Sequence, residues 1–84
     1  MKTVTIFTTS SCPRCPGAKD LGARLERKGV PVTWHDVGTA EGLAEATFHR
    51  VLATPTFLIV EEEVVIAAWR GVLPNEDEVL HGLG

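Results

Sequence analysis

Residues 2–8 (KTVTIFT) alternate between polar and apolar side chains and are rich in β-branched residues, a period of two that predicts a buried β-strand. After the loop Thr9-Ser10-Ser11 the apolar spacing changes to that of a helix, with Cys15, Ala18, Leu21, Gly22 and Leu25 on one face. Pro13 and Pro16 indicate where this helix starts. The first four N–H groups of a helix have no internal partner, so prolines are harmless only there. The helix is therefore predicted to begin directly after Cys12, with Cys12 at or beside the N-cap and Cys15 in the first turn. Arg24, Arg27 and Lys28 crowd its C-terminal end, where the dipole favours cations, and Asp20 stands four before Arg24 for an ion pair. Gly29 supplies a left-handed stop.

Residues 31–37 (PVTWHDV) read as a second strand, and Thr39 caps a helix predicted over residues 40–50. That helix has a thin apolar face, further weakened by Gly42. Thr54-Pro55 then leads into Thr56-Phe57-Leu58-Ile59-Val60, a continuous apolar run of the kind found in central strands. Glu61-Glu62-Glu63 is a turn lacking the usual Gly or Asn, residues 64–70 form the returning strand, and Gly71 ends it. Asn75 and Glu78 have the spacing of a capping box that opens a last helix reaching about Leu83.

The predicted order is β-α-β-α-β-β-α. A helix between strands 1 and 2 makes them parallel, and a short turn makes strands 3 and 4 antiparallel. The expected fold is α/β, one mixed four-stranded sheet with helices on both faces, formed by residues 1–84 as a single domain. Pro31 at its start suits an edge strand, which puts strand 2 outermost.

Charge and composition narrow the function classes. Eleven acidic against eight basic residues give a net charge of −3, the wrong sign for general nucleic-acid affinity. No apolar run approaches the ~18 residues of a membrane span, and the alternating N-terminus does not resemble a signal peptide. The expectation is a cytoplasmic monomer without nucleic-acid or membrane partners. Charge is unevenly placed: residues 1–42 carry six Lys/Arg and four Asp/Glu, residues 43–84 two and seven.

The two cysteines, Cys12 and Cys15, are three apart, a spacing that random placement would give about 2% of the time. Two sulfurs on one turn at a helix start suit a disulfide that opens and closes. Cys12 is expected to be exposed and activated as a thiolate by the positive helix end, the N–H groups of Arg14 and Cys15 and, weakly, the Arg14 guanidinium. It would attack a substrate disulfide as nucleophile, and Cys15 would resolve the mixed disulfide. Two other classes compete. A closed zinc site needs four ligands, and only His35, His49 and His81 are candidate partners for the thiols. A metal or iron–sulfur carrier and a non-catalytic peptide-binding module are the alternatives. Trp34 and Trp69 are expected to pack on the sheet, His35 and His81 to lie at or near the surface, and Asp36 is the acidic candidate for a proton acceptor.

The residues Phe7-Thr8-Thr9-Ser10-Ser11-Cys12-Pro13-Arg14-Cys15, Thr54-Pro55-Thr56-Phe57 and Gly71 resemble those of small thioredoxin-fold proteins of the glutaredoxin-like kind, over essentially the whole chain. The resemblance implies a dithiol–disulfide oxidoreductase acting on protein disulfides. It also implies a cis Pro55, a Thr54 backbone that pairs with an extended substrate segment, and Pro13 and Arg14 at the substrate surface. No bound cofactor is implied, only recycling by a thioredoxin reductase-type system or by glutathione. The sequence departs from both patterns. Thioredoxins resemble WCGPC at the site and carry a buried acid on the first strand, which this chain lacks. Glutaredoxins usually show CPYC and a double glycine, where this chain has Arg14 and Gly71-Val72-Leu73-Pro74. Pro16 after the second cysteine resembles small redoxins that include proposed electron donors to ribonucleotide reductase.

Overall fold

A computed structural model describes all 84 residues. The chain forms β1 (Lys2–Thr8), α1 (Cys15–Arg27), β2 (Val32–Asp36), α2 (Ala40–Phe48), β3 (Thr56–Glu61), β4 (Val64–Arg70) and α3 (Glu76–Leu83). The strands make one sheet in the order β2-β1-β3-β4. β2 runs parallel to β1, while β3 is antiparallel to both β1 and β4. The Pro31-led strand is at the edge, as its sequence requires.

Alternation along the central strands supplies two cores, one on each face. Val4, Ile6, Phe57 and Ile59 meet Ala18, Leu21 and Leu25 of α1 and Val79 of α3. Phe7 and Leu58 point the other way, toward Ala46 of α2 and Val51. Both tryptophans pack as expected. Trp34 covers Gly22 so closely that a Cβ there would overlap its ring, and its indole N–H donates to Glu26 (3.3 Å). Trp69 lies against the α1/α3 core.

Long-range contacts revise some local expectations. Arg24 pairs with Glu76 at the start of α3 (2.9 Å), not with Asp20, and Lys28 binds the other Glu76 oxygen. Lys28, then Arg24, holds the Glu76 carboxyl below its ordinary value of 4.5. α1 closes in a Schellman motif, Val30 N–H to Leu25 C=O and Gly29 N–H to Glu26 C=O, with Gly29 at φ 83°. α2 closes the same way two residues before its predicted end. Val51 N–H reaches Ala46 C=O, which places Arg50 at φ 57° where glycine is usual.

The β3–β4 turn is one residue shorter than read from the sequence. Glu61 stays in β3, and only Glu62 and Glu63 turn, at φ 51° and 70°. A left-handed conformation costs a non-glycine residue roughly 1–2 kcal/mol. Glu63→Gly is therefore expected to stabilise the protein by about 1 kcal/mol in denaturant unfolding. An unchanged or lowered midpoint would contradict it. At α3 the capping box forms in full: Asn75 Oδ1 accepts from Glu78 N–H (2.8 Å), and Glu78 Oε1 accepts from Asn75 N–H (3.3 Å).

Candidate active site

Cys12 and Cys15 form a disulfide on the turn that joins β1 to α1, with Cα atoms 5.3 Å apart. The turn differs from the predicted helix start. Pro16 has no N–H to return to the Cys12 carbonyl, so Cys15 N–H takes that carbonyl in a tight i→i+3 bond (3.3 Å). The first bond of α-type spacing is Ala18 N–H to Arg14 C=O. The helix thus begins at Cys15 with Arg14 as N-cap, Pro13 lies in the preceding turn, and Cys12 stands just outside the helix. Cys15 N–H is engaged with the Cys12 carbonyl, while Arg14 N–H is left out of the backbone hydrogen bonds. Of the pair predicted to face Cys12, only the Arg14 amide is uncommitted. Cys12 is half-buried and Cys15 is 2% exposed, the asymmetry expected of an outer and an inner sulfur.

Two further loops close around this turn. The Thr54–Pro55 peptide is cis, with Pro55 fully buried. Thr56, also buried, donates its hydroxyl to Ala53 C=O (2.7 Å) and accepts from Gly71 N–H (3.2 Å). Gly71 has φ 74°, and a Cβ on it would lie 3.2 Å from that of Ala53. Arg14 completes the junction by donating from Nη2 to the Gly71 carbonyl (3.1 Å). The guanidinium is therefore turned toward the Gly71 loop, where the sequence reading had it beside Cys12. Leu73 lies over Gly17 in the first turn of α1, 3.0 Å from where a Cβ would be.

Chain similarity is confined to structure. No family model and no curated protein matches the sequence. Among solved structures, a malaria parasite thioredoxin-2, a component of its protein secretion machinery, superposes with TM-score 0.85 at 16% identity, covering 99% of this chain and 81% of that one. Thioredoxin F from spinach chloroplast gives 0.80 at 21% identity (98% and 72% covered), and a thioredoxin from Thermus thermophilus 0.70 at 25% (98% and 70%). The chain has the thioredoxin fold.

Within that fold, Cys12, Pro13, Arg14, Cys15, Thr54 and Pro55 fall on two loops that the Gly71 junction ties together. Asp36 has another task. It is exposed, and its carboxylate accepts from Gly38 N–H (2.8 Å) in the loop before α2. His35 and His49 both lie against the Phe7 ring, at 5.2 and 6.2 Å between centroids, and His81 is on the exposed side of α3. No group of three or more His, Cys, Asp or Glu side chains is arranged to hold a metal ion.

An apolar cavity of about 220 Å³, not foreseen from the sequence, is lined by Val37, Leu43, Ala46, Val51, Leu52, Ala53 and Thr54. Leu52, 97% exposed, stands at its rim. Thr54 belongs to both the cavity and the proline loop, and neither its N–H nor its C=O takes part in the hydrogen bonds of the fold. The lining comes from α2 and from turns on either side of it, so no single periodicity marks it. The apolar run Val51-Leu52-Ala53 directly before Thr54-Pro55 is the one signal in the sequence.

Proposed function

We propose that the protein is a dithiol–disulfide oxidoreductase that reduces protein disulfides. The observation that carries this reading is the Cys12–Cys15 disulfide at the start of α1, with Cys12 partly exposed and Cys15 buried. In the reduced protein the Cys12 thiolate attacks one sulfur of the substrate disulfide, forming a mixed disulfide and displacing the second substrate sulfur as a thiolate. That thiolate is the base at hand for the Cys15 proton, since β1 carries no acid. Cys15 then attacks Cys12 Sγ and releases the first substrate sulfur, which is protonated from water. Two electrons and two protons pass to the substrate, and the protein is left with the Cys12–Cys15 disulfide.

The free Thr54 amide and carbonyl suit an extended substrate segment added as a short strand, and the exposed Pro13 and Arg14 would meet it from the cysteine turn. Exposed Leu52, Val72 and Leu73 give that path an apolar margin. We further propose that the protein acts as a monomer in the cytoplasm, a compartment in which a cysteine pair of this spacing is more often catalytic than structural. Its oxidised form is recycled by a thioredoxin reductase-type enzyme or by glutathione. An enzyme that ends each turnover with its own disulfide, as ribonucleotide reductase does, is a fitting acceptor.

Catalysed reduction of insulin disulfides tests the reading, with NADPH and thioredoxin reductase in one arm and glutathione with its reductase in the other. Sustained turnover in either arm is the expected result, and the productive arm assigns the reductant. Failure in both, with dithiothreitol also unable to drive turnover through the protein, would overturn the proposal.

A further inference from the structure

The chain is acidic overall, yet its redox end is framed by arginine. Residues 43–84 hold only two basic side chains, Arg50 and Arg70, against seven acids. Both basic residues adjoin the segments that surround the disulfide. Arg70 is the register partner of Thr56, immediately after Pro55, and Arg50 precedes Val51 in the wall of the cavity that Thr54 shares. Arg14 lies between the two cysteines.

These cations are held in place. Arg14 Nη2 donates to the Gly71 carbonyl (3.1 Å) and Arg70 Nη2 to the His49 carbonyl (3.4 Å). Arg70 precedes Gly71 and Arg50 follows His49, so these two contacts join the segments that carry the three arginines. Each anchored guanidinium uses one of its five N–H donors in this way, leaving an exposed fork suited to a carboxylate.

No acid of the chain forms an ion pair with Arg14, Arg50 or Arg70. Glu61, Glu62 and Glu63 are at the opposite end of β3 from Thr56, about 17 Å along the strand. Glu76 is bound by Arg24 and Lys28. On the α2 side, Asp36 accepts from Gly38 N–H, Glu45 faces His49 at 3.8 Å, and Glu41 lies in the first turn of α2.

We propose that the substrate segment is acidic, with carboxylates beside its cysteine, and that Arg14 and Arg70 select it. This rests on the redox reading above and adds the class of polypeptide the site prefers. A carboxylate pairing with either fork steers the segment along the Thr54 edge and orients its disulfide toward Cys12.

The test uses three disulfide peptides of one sequence that differ only in the residues flanking the cysteine: Glu, Gln or Lys. Single-turnover reduction by the pre-reduced protein is divided by the rate of dithiothreitol on the same peptide, because the attacking dithiothreitol thiolate carries the same single charge as that of Cys12 without the surrounding arginines. At low ionic strength the Glu peptide is expected to outpace the Lys peptide about tenfold, falling to about twofold in ~0.5 M NaCl. Arg14→Gln and Arg70→Gln should each cut the low-salt ratio roughly two- to threefold, while Arg14→Lys and Arg70→Lys, which keep the charge, retain most of it. A ratio within one variant cancels changes in Cys12 reactivity or in folded fraction. A Glu-to-Lys ratio near one at low salt, or one insensitive to both Gln variants, overturns the selection while the reduced Gln peptide leaves the redox reading intact. If none of the three peptides is reduced, both fall.

Discussion

Cys12→Ser is expected to bring disulfide reduction down to the uncatalysed background, whereas Cys15→Ser is expected to accumulate covalent mixed disulfides with its substrates. The difference follows from where α1 begins. Cys12 lies outside the helix, half-buried, next to the uncommitted Arg14 amide, so a partner sulfur can approach it. Cys15 is the first helical residue and only 2% exposed; an external disulfide has no route to it, but Cys12 lies within bonding reach. A hydroxyl at position 12 is not ionised near neutrality and has no comparable nucleophilicity. A hydroxyl at position 15 leaves the first exchange intact and removes the step that frees the substrate. Trapping from a thiol-blocked lysate, resolved on a non-reducing gel, reads both outcomes at once. Mixed disulfides on Cys12→Ser but not on Cys15→Ser would reverse the roles.

The largest effect on stability is expected at Gly42, in the first turn of α2. Helix propensity favours alanine over glycine by about 1 kcal/mol, so Gly42→Ala looks stabilising from the sequence. In the folded protein an added Cβ would sit on the Asp36 carbonyl and 3.0 Å from the Asp36 amide nitrogen, both backbone atoms that no rotamer change moves. The loop is fixed there by Thr39, whose hydroxyl donates to Asp36 C=O (2.8 Å) and accepts from Gly42 N–H (3.0 Å). Relieving the overlap means lifting α2 from β2, the strand beside it, and opening the Phe7–Ala46–Val51–Leu58 core. Overpacking a close contact costs 1–3 kcal/mol and sometimes more, and a backbone collision belongs at the upper end, so a loss of about 3 kcal/mol is expected. Of a total near 5–15 kcal/mol this is a large share. Urea denaturation of the variant measures it; unchanged or raised stability would show that α2 does not press on Asp36 as described.

These two cases mark what was legible in the sequence. Period-two alternation marked β1 and the hairpin turn marked β4, both to the residue, and the capping box at Asn75 located α3, because alternation, turns and caps are local properties. The cysteine pair was equally plain, since its chemistry follows from spacing and the adjoining helix. Features set by distant contacts were not legible. Gly42 read as a weakness of α2 because nothing local reveals the Asp36 carbonyl above it. Arg50, Glu62 and Glu63 gave no sign of left-handed backbone, where composition leads one to expect Gly or Asn. Arg24 was matched to Asp20, four residues away, although Glu76 lies closer in space. The start of α1 was displaced because Pro16 removes the bond that would have extended the helix to Cys12.

The most direct test is the rate at which Cys12 is alkylated. With Cys15→Ser, which leaves a single thiol and no disulfide, iodoacetamide trapping is followed from pH 4 to 9. If the opening of α1 holds Cys12 as a thiolate, alkylation at pH 7 will exceed that of an unstructured cysteine peptide by about tenfold, and the rate will reach half its plateau below the ~8.5 of a free thiol. A rate equal to the peptide's, with half-plateau at the free-thiol value, would contradict the account at its root.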